Sequence, residues 1–381
     1  MLRKLIALKL RVISTLVLEK YKPKIVAITG SVGKSTTKEV IFYLLRQKFF
    51  VWKSEKNLNT EIGVPLSILG ITDEPGRNII KWFRVFSKGI GLILFTKKYP
   101  QILVLEMAAE FPGDLEYLTS FVRPDVSVVT NVGISHMEFF KTHDAIRREK
   151  GALVRALSAD GVAILNRDDE GATALTNEAK CKVITFGLTE GDFNLSILTV
   201  DKTWPKPVAY SSLAAAAVAS VFHIPTSDVG ISLREFKGLP GRLQKIEGVN
   251  GSIIIDDTYN SAPDSAIAAL EFLKSFPGKR KIVVFGRMAE LGDETEPGHR
   301  KVGKVVADLG IDFLFVKNNE ALFIAEEAKA GDLSIERVIV FSGAPDAIKL
   351  LTRELKPGDV VLVKASRVDK FEEIVKGIMK V

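Results

Sequence analysis

Residues 24–40, KIVAITGSVGKSTTKEV, decide how the rest of the chain is read. KIVAITG is an unbroken apolar run of strand length, the pattern of a strand covered on both faces. A glycine turn follows. Lys34-Ser35-Thr36-Thr37 then opens a stretch with Val40, Ile41, Leu44 and Leu45 on one helical face. A strand, a glycine turn and a helix N-terminus in succession aim backbone N–H groups and the positive end of a helix dipole at one spot, which favours phosphate. Only two residues separate Gly30 from Gly33-Lys34-Ser35, however, where the general phosphate-binding loop has four. The residues alone leave two readings. One is a shortened nucleotide loop with Lys34 on the terminal phosphates and Ser35 on Mg²⁺; the other is a helix cap built by Ser35 and Thr36.

Outward from this stretch, four further apolar runs of strand length alternate with helical patterns: ILVLEM (102–107), DVSVVTNV (125–132), GVAILN (161–166) and KVITFG (182–187). Continuous apolar strands between helices predict a mainly parallel sheet in an α/β unit, covered on both faces. Glu106 and His136 each follow such a run, at the carboxyl end of a strand, where open α/β sheets place their ligands. With the Ser35 hydroxyl they form a set that can hold Mg²⁺ on a nucleotide; a capping carboxylate and an unrelated histidine are the plainer alternative.

A second series, GSIIIDD (251–257), KIVVFG (281–286), DFLFV (312–316), RVIVF (337–341) and DVVLVKAS (359–366), predicts a smaller, doubly wound α/β unit. FKGLPGRLQKIEG (236–248), rich in Gly and Pro, reads as the hinge between the two. The expected organisation is a basic N-terminal segment at 1–22, a P-loop-type domain at 23–242 with a basic apolar insertion at 77–98, and a Rossmann-like domain at 243–381.

Composition narrows the class. The 381 residues are 46% hydrophobic and 26% charged, ordinary for a protein with sizeable cores and two or three domains. A single cysteine, Cys181, excludes an internal disulfide framework and fits a cytoplasmic compartment. The net charge of +7 is unevenly placed: residues 1–24 hold seven basic residues against Glu19, and residues 77–98 hold six and no acid. The two segments together carry +12, leaving −5 for the rest, which is not the even basic stripe of a nucleic-acid binder. Neither segment has the ~20 apolar residues of a spanning helix. Each reads either as a helix packed on its own domain or as one lying on an anionic membrane surface, at the inner face of the cytoplasmic membrane.

TGSVGKSTTKE (29–39), NLNTEIGVPLSIL (57–69), LVLEMAAEFPGDLEYL (103–118), RPDVSVVTNVGISHME (123–138), PGRLQ (240–244) and IIDDTYNSAPDSAIAAL (254–270) occur in this order. Together they resemble the Mur ligase family over roughly residues 24–381. Within it they are most similar to the branch that adds D-alanyl-D-alanine to a UDP-muramoyl tripeptide. The resemblance favours the nucleotide reading of the loop. It implies that Gly30, Ser31, Gly33, Lys34, Ser35 and Thr36 cradle ATP, and that Ser35, Glu106 and His136 hold Mg²⁺. It further implies that Lys150 becomes carbamylated and helps hold a second Mg²⁺. Arg242, Asp256, Asp257 and Asn260 match nucleotide contacts, and Asn57, Asn59 and Thr60 lie in the block that approaches substrate. Lys34, His136 and Lys150 are thus the expected catalytic set, acting through an acyl phosphate.

The sequence also departs from the pattern. Val208 and Ser211 replace two asparagines near the nucleotide, Glu110 stands in place of Asn, and Arg287 in place of Asp. Some 24 residues precede the first strand, so no counterpart of the family's N-terminal UDP-binding domain is expected in this sequence. The expected function is ATP-dependent ligation of D-alanyl-D-alanine or an amino acid onto a small-molecule cell-wall precursor. A folylpolyglutamate-type or pseudomurein-type acceptor, or a nucleotide-binding scaffold at the membrane that has lost ligation, is the alternative.

Overall fold

The computed structural model describes residues 2–55, 58–133, 137–198, 205–236, 238–331 and 333–380. The chain folds as two units, Met1–Glu235 and Phe236–Val381.

The first unit begins with α1 (Leu2–Tyr21), β1 (Lys24–Thr29), α2 (Lys34–Leu45) and β2 (Val51–Lys53). It continues through α3 (Gly63–Ile68), α4 (Ile79–Leu94), β3 (Ile102–Glu106), α5 (Asp114–Thr119) and β4 (Val126–Val129). Then come α6 (Met137–Phe140), α7 (His143–Arg155), β5 (Val162–Asn166), α8 (Glu170–Ala174), β6 (Lys182–Phe186), α9 (Lys206–Val221) and α10 (Thr226–Glu235). The six strands form one parallel sheet in the order β2-β3-β1-β4-β5-β6. Burial on both faces explains the continuous apolar runs: Ile25 to Thr29 and Ile102 to Glu106 are all buried. Ile25, Ala27, Leu103 and Leu105 join a core that takes in Leu10 and Val17 of α1 and Leu153 of α7.

On α2, Val40, Ile41, Leu44 and Leu45 are buried, the face expected from their spacing. α2 also packs on α9, whose alanines 214–217 are nearly or wholly buried. The tract therefore serves close helix packing and not helix propensity alone, since small side chains let two backbones approach.

The second unit contains β7 (Gln244–Glu247), β8 (Ile253–Asp257), α11 (Pro263–Ser275), β9 (Lys281–Phe285), α12 (Thr295–Asp308) and β10 (Phe313–Lys317). α13 (Leu322–Ala330), β11 (Val338–Phe341), α14 (Ala344–Glu354), β12 (Val360–Lys364) and α15 (Glu372–Ile378) complete it. Its sheet runs β11-β10-β9-β12-β8-β7, parallel except for β7, which is antiparallel to β8. The stretch expected to be a hinge is thus partly strand. Gly241 N–H also donates to Asp256 Oδ2 at 2.9 Å, so Arg242, expected to close the first domain, folds with the second unit.

Candidate active site

Gly30 and Gly33 adopt conformations that side chains avoid, with φ of +147° and +82°. A Cβ on Gly30 would stand 1.9 Å from Thr130 Oγ1, so the turn is pressed against the end of β4. Asn131 locks it there: its Oδ1 accepts from the N–H groups of both Ser31 and Val32 at 2.9 Å. Gly133 N–H donates to Ser31 Oγ at 2.9 Å, and Thr130 Oγ1 donates to the carbonyl of Val32 at 2.6 Å. Gly30→Ala is expected to destabilise the fold by about 1–3 kcal/mol through backbone strain alone. It should weaken nucleotide binding in parallel. Chemical-denaturation midpoints with and without ADP measure both; an unchanged midpoint would refute the strain.

The N-cap of α2 is Gly33, which makes no side-chain cap bond. Ser35 and Thr36 lie one and two residues inside the helix, so neither is the cap. The leading N–H groups of a helix have no partner within it, and here no cap side chain covers them. The Ser35 hydroxyl turns instead to the sheet and donates to Glu106 Oε1 at 3.1 Å. Thr36 is buried. Lys34 Nζ lies on the carbonyls of Gly30 (2.7 Å) and Ser31 (3.2 Å).

Glu106, at the end of β3, is 2% exposed. Its Oε1 accepts from Ser35 and from Asn59 Nδ2 at 3.1 Å. Among the described residues Oε2 has no hydrogen-bond partner, although the Lys38 ammonium stands 3.6 Å away. Lys38 is itself buried and also paired with Glu39. Lys150, on α7, is 4% exposed. Burial, and next the positive charge of Lys34, push its pKa down to about 7, against the opposing pull of Glu149 and Asp169. Thr60 takes a local part: its hydroxyl accepts from Gly63 N–H at 3.3 Å at the start of α3. His136 and Asn57 lie outside the described residues. Among the described residues no group of three or more His, Cys, Asp or Glu side chains could hold a metal.

In the second unit, Arg242 stacks its guanidinium over Tyr259, 3.9 Å from the ring centroid. Asp256 is buried, and burial raises its pKa; both its oxygens are engaged, by Thr258 and by Gly241 N–H. Asp257 Oδ2 accepts from Lys364 Nζ at 2.6 Å, and the same ammonium donates to the carbonyl of Asn260 at 2.9 Å. The Asn260 side chain is exposed.

Two family models match the chain: the Mur ligase middle domain over residues 88–219, and the Mur ligase glutamate ligase domain over residues 241–367. A UDP-N-acetylmuramoyl-tripeptide–D-alanyl-D-alanine ligase from Bacillus subtilis (strain 168) is 30% identical, over 95% of this chain and 77% of its own length. The chain belongs to the Mur ligase family. It is an ATP-dependent ligase. The ligase of the same description from Synechocystis is 32% identical over 91% of this chain and 73% of its own. The structure of MurF from Thermotoga maritima in complex with ADP superposes with a TM-score of 0.76 at 29% identity, covering 97% of this chain and 83% of that one. E. coli FolC in complex with ADP, at 17% identity and a TM-score of 0.64, shares the fold.

For a Mur ligase, two supporting residues were not foreseen from the sequence. Asn131 was readable as a polar residue directly after a buried strand, at a sheet end. Lys38 gave no such signal, because a lysine four residues along a helix from Lys34 reads as solvated until its burial is seen. Ser211, where the family has asparagine, is buried and its hydroxyl accepts from Thr37 of α2 at 3.1 Å. This bond ties α9 to α2.

Proposed function

We propose that the protein joins D-alanyl-D-alanine to the free carboxylate of a UDP-muramoyl tripeptide at the expense of ATP. The observation that carries this reading is the buried Glu106 carboxylate. One of its oxygens is held by Ser35 and Asn59, while the other is without a hydrogen-bond partner among the described residues. A carboxylate and a hydroxyl are the hard oxygen donors that Mg²⁺ prefers, and Mg²⁺ keeps its remaining positions for water and phosphate. Ser35 and Glu106 would hold the ion, together with His136, and Lys150 would serve a second one. Bound there, Mg²⁺ supplies charge neutralisation for phosphoryl transfer.

The chain's own groups do the rest. The glycine turn and the first N–H groups of α2 bind the β- and γ-phosphates. Lys34 exchanges the carbonyls of Gly30 and Ser31 for phosphate oxygens. The acceptor carboxylate attacks the γ-phosphorus and ADP leaves; the dipeptide amine then attacks the acyl carbon and phosphate leaves. Within the second unit, Arg242, Asp257 and Asn260 are the proposed nucleotide-binding residues. Asp256, with both oxygens already engaged, holds the Gly241 turn in place instead. Asn57 and Thr60 belong to the approach to substrate. ATP as co-substrate and the single cysteine support work in the cytoplasm.

ADP release should require ATP, Mg²⁺, a UDP-muramoyl tripeptide and D-alanyl-D-alanine together, with the pentapeptide product found by mass. Turnover on a γ-glutamyl acceptor in its place would overturn the substrate assignment. ADP binding without turnover on any muramoyl peptide or amino donor would instead support a scaffold.

A further inference from the structure

Two helices of the first unit are apolar on opposite faces at once. On α1, Ala7, Leu10, Ser14 and Val17 are buried, while Leu5, Leu8, Val12 and Leu16 are each about half exposed. The exposed four are spaced three, four and four residues apart, which lines them up in one stripe. On α4, Val85, Gly89 and Leu92 are buried. Ile79, Phe83, Ile90 and Leu94 form the opposite stripe and are 83%, 72%, 50% and 63% exposed. A helix that is apolar all round is ordinarily buried all round, and an apolar patch of this kind marks an interaction surface.

The stripes belong to one structural piece. A Cβ on Gly89 would stand 2.6 Å from Ile13 Cγ2, so only glycine lets the two helices approach so closely. Lys20 Nζ donates to the carbonyls of Leu92, Ile93 and Thr96 at 2.9 Å, and Tyr21 OH reaches the carbonyls of Leu92 and Thr96 at 2.6 Å. Tyr21 also stacks on Tyr99, with ring centroids 4.4 Å apart. α1 is therefore fixed to the domain along one side, and its outward stripe is held in place beside α4.

The charge chooses the occupant. Lys4, Lys9, Lys81, Arg84 and Lys97 are exposed on or beside these helices, and residues 77–98 contain no acid. A second copy would bring the same cations against themselves. No helix among the described residues is long and apolar enough to cross a membrane. Apolar stripes on helices that also expose lysine and arginine match the boundary between anionic headgroups and acyl chains. We propose that the α1–α4 pair is a platform that seats this ligase on an anionic lipid bilayer, with the two stripes in the acyl boundary and the flanking cations among the headgroups.

Co-sedimentation of the full chain with vesicles of phosphatidylglycerol and phosphatidylcholine, or of phosphatidylcholine alone, tests this. Binding to the anionic vesicles at low salt should be at least tenfold stronger than to the neutral ones, and should fall at least tenfold in high salt. Phe83→Asp with Leu94→Asp should abolish it, as should Lys81→Glu with Arg84→Glu. All four residues are exposed, so circular dichroism and ligation in the absence of vesicles should be unchanged. Three outcomes would overturn the platform: no anionic-vesicle binding at low salt, binding unaltered in folded variants, or a concentration-dependent dimer lost in the same variants without vesicle binding.

Discussion

Lys34→Ala should lower ligation ~100- to 1,000-fold, the usual effect of deleting one preorganised charge-stabilising group. The protein should stay folded. The ammonium rests on two loop carbonyls and contributes nothing to the hydrophobic core. The loss should also depend on pH in a particular way. The Lys34 charge is the second cause, after burial, of the low pKa of Lys150. Removing it lets that pKa rise, so part of the deficit recovers as the pH is raised above neutrality. Steady-state ADP release across pH 6–10 on wild type and variant would show this. Near wild-type turnover by Lys34→Ala would sink the role of the loop lysine. A loss of equal size at every pH would separate phosphate binding from any effect on Lys150.

How far the sequence discloses this molecule depends on what each element buries. The eight inner strands are readable because they are covered on both faces and mainly apolar, and the edge strands β6 and β11 because they still carry the runs VITF and VIVF. β2 and β7 are not. β2 is three residues long at a sheet edge, and β7 is an antiparallel edge strand, QKIE, whose one apolar residue is Ile246. An edge strand that is this short or this polar leaves periodicity little to work on. In 236–248, Gly and Pro suggest a linker, while the backbone is drawn into the second unit by Asp256 and β8. In the site, position at a strand end was enough to single out Glu106. That Ser35 and Thr36 are not the cap needed the structure, because it turns on Gly33 being the N-cap. α1 and α4 illustrate the limit of periodicity. Each has two apolar stripes, and the sequence does not say which one faces inward.

Lys150→Ala is expected to be the other near-complete loss, and the reason is chemical. A neutral amine adds to CO₂ and releases a proton, which turns a potential cation into an anionic oxygen ligand suited to Mg²⁺. An ammonium at this position would face the charge of Lys34 in a site largely shielded from water, and burial already disfavours it. With a pKa of about 7 the side chain is mostly uncharged at pH 8 and mostly protonated at pH 6. Carbamate should therefore decline as the pH falls below 7 and be restored by added bicarbonate. The substitution should not harm the fold. Between its ordinary pKa of 10.5 and the folded value, the buried lysine binds fewer protons than in the unfolded chain, so it increasingly destabilises the native state as the pH falls through that range. Alanine removes that penalty, and the melting temperature at pH 8 should be unchanged or higher. The space left by the lysine side chain should accept a small carboxylate in place of the carbamate. Activity of Lys150→Ala should thus fall ~100- to 1,000-fold, ignore bicarbonate, and recover in part with formate or acetate but not with chloride. If the variant keeps activity within about tenfold of wild type, or if chloride restores as much as acetate, Lys150 is not the bearer of a metal-binding carbamate.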